Sequence, residues 1–596
     1  MMHTTLYTLF MPPKDCFGDF GFLCGFTATR QILNQIKRTF NGDVTRPSIA
    51  AFIHPSLDVV SDIPGLAWMW MRLKDRGYNL LHAKVGLMGF RRKEGSGYVI
   101  RLAVSTGNWT QDPLTDSIDL FWSIDVDVDN PNSQECADVQ AAWAMFVWLR
   151  KKADCSLIER DYDGHRPDSH LSAAVDQLPR SDLRPRFIDS REQALFPQVV
   201  ERLGRRKKAN RLIVGSGYFE AAGDGDAGLV ERMRQTLVQN NALTRNAQLD
   251  LFLNPQSCQG LAERAEALIR CGWALRRPYS ALHGEDGRLH AKFVLLAGGS
   301  EDAEGRLYLG SGNLSRVGFE TAASGGGNIE AGVIVDLPSA LPWRGKKGLS
   351  SLLPVQFNEV VSLTSLQSGG DFIAPEEPLS HPPVSWLIWD DEVLSAPEGV
   401  SISVIGQDNQ VRLTPCEWPA PAPAIVTLSA HGWRLPVIAD GVLVVPRSPD
   451  MTVEDILAGL GSFPEAADLD GPEDGPEGGE AIASESDRVD APTATYAIRR
   501  MMGLLVRLGE IQADVDPRDW QRWCRELRQN LSAIAKQETE MLSFFRSAGA
   551  NPLPVLADPR MCPVDADIKL LNDALVAVAG NWGLEGYPSL WSEEAA

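Results

Sequence analysis

Nothing in this chain of 596 residues approaches the ~18 consecutive apolar residues that a membrane-spanning helix requires. Met1 to Phe17 has neither a basic start nor a long apolar stretch, so no secretory signal is expected. The expected address is the cytoplasm, with no membrane as partner. Cysteine is scarce: nine residues, never spaced CxxC, which removes the usual signs of a zinc knuckle or a disulfide framework. Basic residues become few after residue 350, with 15 Lys and Arg against 38 Asp and Glu, whereas residues 1–350 carry 42 against 40. An imbalance placed in this way marks separate modules. The net charge of −21 would argue against a polyanionic partner if it were spread evenly, but the first part is balanced. It holds two basic runs, Arg91-Arg92-Lys93 and Arg205-Arg206-Lys207-Lys208, which beside a phosphate-handling site would attract a polyanion.

What the chain does have is an internal repeat. Ile49 to Ile53 runs into His54-Pro55, and Leu249 to Leu253 runs into Asn254-Pro255; each reads as a buried strand closed by a turn. A helix is expected after each, over Leu66 to Arg76 and over Leu261 to Cys271, with Gly77 and Gly272 at the caps. Leu81-His82-Ala83-Lys84-Val85 then matches Leu289-His290-Ala291-Lys292-Phe293. Ser105-Thr106-Gly107-Asn108 matches Gly310-Ser311-Gly312-Asn313, and Ser117-Ile118-Asp119 matches Asn328-Ile329-Glu330. The same order twice predicts two copies of one α/β unit, over 1–185 and 186–345. Short β-branched runs punctuated by Pro and Gly predict a small β-rich domain over 355–463. Residues 464–495, acidic and rich in Gly and Pro, read as a disordered linker. Over 496–596, Trp520, Trp523, Leu527, Leu531, Ile534 and Leu542 recur at helical spacing and predict a helical domain.

The repeated tripeptides carry chemistry. Alternation along a strand projects His82 with Lys84, and His290 with Lys292, to one side. The turns with Asn108 and Asn313 add an amide and a hydroxyl. Two such sets facing each other would surround one tetrahedral anion with two imidazoles, two ammoniums and two amides. That arrangement suits phosphoryl transfer: one imidazole attacks phosphorus, the other protonates the leaving oxygen, and the remaining groups hold the non-bridging oxygens. A single HxK is most simply a strand histidine; two, each followed by a [GS][ST]GN turn, are not.

These motifs resemble the phospholipase D superfamily, whose signature is HxK with a downstream GSxN and a later acidic residue. The superfamily's usual Asp five positions after the Lys is absent, since Gly89 and Ala297 stand there; in that respect the chain is similar to the tyrosyl-DNA phosphodiesterase branch. The resemblance covers residues up to about 345. It implies a two-lobed α/β fold, mixed sheets flanked by helices in pseudo-symmetric lobes, with the β-rich and helical domains appended. It implies a metal-independent phosphodiesterase without cofactor, working through a phosphohistidine: His82 as nucleophile, His290 as general acid and then base. Lys84, Lys292, Asn108 and Asn313 would bind phosphoryl oxygens, with Glu330 and Asp119 each orienting an imidazole. Thr106, Ser311 and His54 are expected to contact substrate.

Gly223 to Gly228 fits GxGxxG, but its two aspartates would repel a pyrophosphate, so a plain turn is expected. Asp125, Asp127 and Asp129 alternate like the start of a calcium loop, yet lack its glycine, and read as a polar strand edge. DNA is the favoured partner, cleaved as a nuclease substrate or relieved of a 3′ adduct. Two alternatives stand beside it: a nuclease subunit of a larger defence or repair complex, with protein partners docked on the C-terminal domains, and a phospholipase or phosphatidyltransferase.

Overall fold

The computed structural model describes residues 6–589 except 42–45, 56–58, 64, 73–76, 163, 205–207, 221–227, 281–286, 300–301, 339–340, 346, 358–359, 370–380, 445–500, 502–504 and 538. It divides into two compact units, Met1–Phe40 with Arg46–Val444, and Val445–Ala596 with Asn41–Thr45.

The first unit is built on two mixed sheets of like topology. In the first lobe, β1 (Cys16–Gly25), β2 (Ile49–Ile53), β3 (Leu66–Trp68), β4 (Val85–Arg92), β5 (Tyr98–Ser105) and β6 (Phe121–Asp127) lie in the order β3-β2-β1-β4-β5-β6. β1, β2 and β3 run parallel and the remaining pairs antiparallel. Every residue of β1 and β2 is buried, as expected of strands covered on both faces. The helices α1 (Arg30–Asn41) and α2 (Ser133–Arg150) flank this lobe in sequence. In the second lobe the strands are β7 (Phe187–Asp189), β8 (Ala209–Gly215), β9 (Leu243–Phe252), β10 (Trp273–Arg276), β11 (Phe293–Gly298), β12 (Asp302–Gly310) and β13 (Ala331–Asp336). They lie in the order β10-β9-β8-β11-β12-β13-β7, the same path with one strand added. Helices α3 (Leu195–Leu203), α4 (Gly228–Gln239) and α5 (Leu261–Arg270) belong to this lobe.

One expected element is absent. Where a helix was expected over Leu66 to Arg76, the described residues form β3 and a two-residue strand, Trp70–Met71. Leu66 to Met71 is apolar at every position and at most 5% exposed throughout. Such a run has no polar face to give to solvent, and it fits a fully covered strand. The second copy does hold its helix, α5, before the matching strand β10.

The lobes meet in one continuous core that includes Leu81, Ala83, Ile118, Leu289, Ala291 and Ile329. The alanine inside each HAK tripeptide is completely buried there, and a larger side chain would hold the lobes apart. Six short strands between Leu387 and Leu443 form a further sheet. Its Leu387, Leu394, Leu435 and Val437 share a core with Ile53, Trp70 and Trp109, so this β-rich segment packs as part of the first unit.

In the second unit the described helices include α6 (Trp520–Gln537), α7 (Thr539–Ala548) and α8 (Ile568–Trp582). Trp523 and Trp582 are fully buried, and their ring N–H groups donate to Gln512 Oε1 at 3.1 Å and Leu531 O at 2.7 Å. The expected linker, 464–495, and the expected turn at 223–227 lie outside the described residues.

Candidate active site

The site forms where the two copies are stitched together reciprocally. Ser117–Ile118 pairs in parallel with Arg288–Leu289, and Leu81 bridges Ile329. The amides of His82 and Ala83 donate to Ile329 O at 2.8 and 2.7 Å; those of His290 and Ala291 donate to Ile118 O at 3.0 and 2.8 Å. Each motif histidine is therefore fixed against the segment that carries the other lobe's carboxylate.

The side chains follow. His82 Nδ1 donates to Glu330 Oε2 at 2.8 Å, and His290 Nδ1 donates to Asp119 Oδ1 at 2.9 Å. Both carboxylates are wholly buried and both have matching supports. Glu330 accepts from Ser311 Oγ at 2.5 Å and Asn328 Nδ2 at 3.0 Å. Asp119 accepts from Thr106 Oγ1 at 2.8 Å and Ser117 Oγ at 2.6 Å. With Nδ1 tied in each ring, Nε2 is the nitrogen left for chemistry.

Lys84 is completely buried, and its ammonium donates to His82 O at 2.7 Å. Lys292, 1% exposed, donates to His290 O at 2.5 Å and weakly to Thr106 O at 3.5 Å. An ammonium has three donors, so donors remain on both. Asn108 Oδ1 is buried without a hydrogen bond among the described residues. The spare donors of two ammoniums, gathered in a buried place, fit an anionic ligand.

Burial pushes Lys84 well below the usual lysine range and brings Lys292 to about 8. Burial, helped by Lys84 and Lys292 and opposed by Glu330, takes His82 down to about 4. His290 is also lowered, by burial and then by Lys292. Burial works to raise Glu330 and Asp119, yet the imidazole facing each holds it below the usual carboxylate range. Both lysines act on both imidazoles, so the two motifs form one electrostatic site.

The three expected substrate contacts have partners within the protein. Thr106 and Ser311 are fully buried, with their hydroxyls donated to Asp119 and Glu330. His54, 2% exposed, accepts the Leu81 N–H on Nδ1 at 3.2 Å. Its counterpart Asn254 accepts from Leu289 N and donates to Leu289 O, both at 2.8 Å. Different residues thus do the same task, pinning the residue before each motif histidine. Asn313 sits half-buried in the turn after β12.

Among the described residues, the basic runs do not border the site. Arg91 is 4% exposed, facing Asp19 at 3.4 Å and lying over the Phe17 ring, while Arg92 pairs with Asp127 at 2.6 Å. Lys84 and Arg91 stand at opposite ends of β4, about 23 Å apart at ~3.3 Å per residue. Lys208 likewise precedes β8, whose far end leads to the site; 205–207 lie outside the described residues. Asp125 is held by Arg101 through two contacts of 2.6 Å, consistent with a polar strand edge.

Reading by sequence missed Phe26, Ser117 and Asn328. The polar-Ile-acid tripeptides carry a signal for the last two, because alternation puts Ser117 beside Asp119 and Asn328 beside Glu330. Phe26 packs on His82 at 5.2 Å and stacks on His54 at 5.4 Å between ring centres, and it has no counterpart in the repeat.

No protein-family model matches the chain, and no curated protein does. Among solved structures, yeast tyrosyl-DNA phosphodiesterase is similar over 56% of this chain and 85% of its own, at 13% identity and a TM-score of 0.39. A histidine-to-alanine mutant of the same yeast enzyme gives 56%, 87%, 13% and 0.38. Polyphosphate kinase from Porphyromonas gingivalis is similar over 56% of this chain and 42% of its own, at 12% identity and a TM-score of 0.30. Likeness at this level says nothing of activity.

Proposed function

We propose that the chain is a phosphodiesterase of the phospholipase D type that acts on DNA through a phosphohistidine. One observation supports this above the others: two imidazoles, each held by a buried carboxylate of the opposite lobe, share a site with two buried lysines that have donors to spare. The motif resemblance to the tyrosyl-DNA phosphodiesterase branch supplies DNA as the substrate class.

In the first step the Nε2 lone pair of His82 forms a P–N bond. The P–O bond to the leaving group breaks, and His290 gives its proton to the departing oxygen. Glu330 keeps the His82 proton on Nδ1 and favours the cation that develops on that ring. Lys84, Lys292, Asn108 and Asn313 hold the phosphoryl oxygens. A bound phosphodiester offsets the charge of the two lysines, which raises the pKa of His290 and readies it as an acid. In the second step His290 takes a proton from water, the water oxygen bonds phosphorus, and the P–N bond breaks.

To test this, the protein is incubated in EDTA with single- and double-stranded DNA, 3′-phosphotyrosyl DNA and phosphatidylcholine. Cleavage of a DNA substrate without added metal is expected, with His82→Ala inactive and His290→Asn accumulating a phosphoryl adduct on His82. Activity lost in EDTA and restored by magnesium, or an adduct mapped to His290, contradicts the mechanism. Turnover of phosphatidylcholine alone contradicts the substrate class.

A further inference from the structure

The two half-sites are built alike, yet one is open and the other closed. Cys24 pairs with Val85 and Gly215 with Phe293, each partner being the residue after a motif lysine. Two positions further on stand Phe26 in the first lobe and Gly217 in the second. The Phe26 ring lies against His82, and Gly217 has no ring to offer His290. The His82 side chain is accordingly 8% exposed and that of His290 33%.

A second difference falls on the same side. Two residues before His82 stands Leu80, 9% exposed; two residues before His290 stands Arg288, exposed. Leu289 between them is 1% exposed, so alternation turns Arg288 to the side of His290. Its backbone N–H donates to Asp116 O at 3.1 Å, while its guanidinium makes no ion pair or hydrogen bond among the described residues. Arg288 also lies near enough to Lys292 to disfavour that ammonium further.

Resting on the reading above, we infer that Arg288 binds a phosphate of the leaving strand, so that the site favours a polynucleotide leaving group over a small alcohol or phenol. In-line attack by His82 expels the oxygen opposite to it, beside His290. Whatever that oxygen carries must lie over the second lobe, where the site is open. Arg288 stands about 6.6 Å from His290 along the chain at ~3.3 Å per residue, within reach of a strand that leaves on that side. A guanidinium suits phosphate through paired N–H donors. At the matching places of the first lobe, Leu80 and Phe26 offer neither the opening nor the charge.

The test compares wild type with Arg288→Gln and Arg288→Leu, the latter copying the first lobe. Anisotropy of a fluorescein-labelled single-stranded oligodeoxynucleotide, in EDTA over a salt series, is expected to show binding weakened about tenfold. The slope of log affinity against log salt should fall by about 0.7, one phosphate contact on a single strand. In parallel, kcat/KM is measured for an oligonucleotide and for the p-nitrophenyl ester of thymidine 5′-phosphate, which has no phosphate on its leaving side. The ratio of the two is expected to fall about tenfold in both variants. An unchanged slope and affinity, or an unchanged ratio, overturns the assignment. If wild type hydrolyses neither substrate, the phosphodiesterase reading fails while the anisotropy still judges Arg288.

Discussion

Replacing Lys292 with Met should make the protein more stable while destroying its proposed activity. A lysine brought from its usual 10.5 to about 8 by burial carries its charge in the fold at a cost of about 3 kcal/mol, at ~1.4 kcal/mol for each tenfold change in the proton equilibrium. Asp119 and Glu330 are already counted in that figure, since both oppose the shift. Methionine keeps the length of the side chain and removes the charge, but leaves His290 O without its donor at 2.5 Å, a loss of about 1 kcal/mol. The net gain is about 2 kcal/mol at pH 7, read as a Tm higher by about 2–4 °C. The pH dependence is the sharper test. Because the folded pKa is depressed, the cost is fully present below about 8, fades between 8 and 10.5, and is absent above. Wild type should therefore catch up with the variant between about pH 8 and pH 10.5. Calorimetric or urea unfolding of both proteins at about pH 7, 8.5 and 10 decides it. A variant less stable than wild type at pH 7, or an advantage that does not change with pH, refutes the reasoning.

Three further outcomes are expected. Glu330→Gln keeps the shape but removes the charge that fixes the Nδ1 proton of His82, so turnover should fall by about 10²–10⁴; single-turnover adduct formation on His82 measures it, and a loss below about fivefold would deny Glu330 that task. Since kcat/KM reports the free enzyme, its fall above the lowered pKa of His290 should steepen as pH rises through about 8, where Lys292 sheds its proton; an unchanged slope up to about pH 9.5 would show that Lys292 does not hold the phosphoryl group as an ammonium. Gly217→Ala places a Cβ 2.5 Å from Leu289 O and 2.9 Å from His290 Cα, so it should cost about 1–3 kcal/mol of stability and displace the imidazole. Gly298→Ala, whose Cβ finds nothing nearer than 3.9 Å, is the control and should be near neutral by urea unfolding.

The repeat was legible because the same backbone task recurs: HAK at the strand entry, a GN turn at the next strand's exit, and an acid two residues after a polar one. The pairing across the lobes was not. Linear order cannot say whether Glu330 serves His290 of its own copy or His82 of the other, because that choice depends on how two surfaces dock. The misplaced helix has a different cause: Leu66 to Met71 is apolar at every position, so periodicity has nothing to work on. Arg91 and Arg92 misled because composition does not reveal which end of a strand a charge occupies. The asymmetry of Phe26 against Gly217 was hidden by the very likeness of the two HAK tripeptides.

Holding each imidazole by the opposite lobe has an energetic consequence. The two buried ammoniums make the site costly, at about 3 kcal/mol for Lys292 alone, with Lys84 depressed as well. That cost sits at the seam, where Leu81, Ile118, Leu289 and Ile329 are buried to 5% exposure or less. Four such side chains stabilise the docked state by about 6–12 kcal/mol, at ~1.5–3 kcal/mol each, more than the cost of Lys292. Neither lobe alone has a motif imidazole with its carboxylate. The reactive arrangement and the force that sustains it therefore arise from the same act of docking.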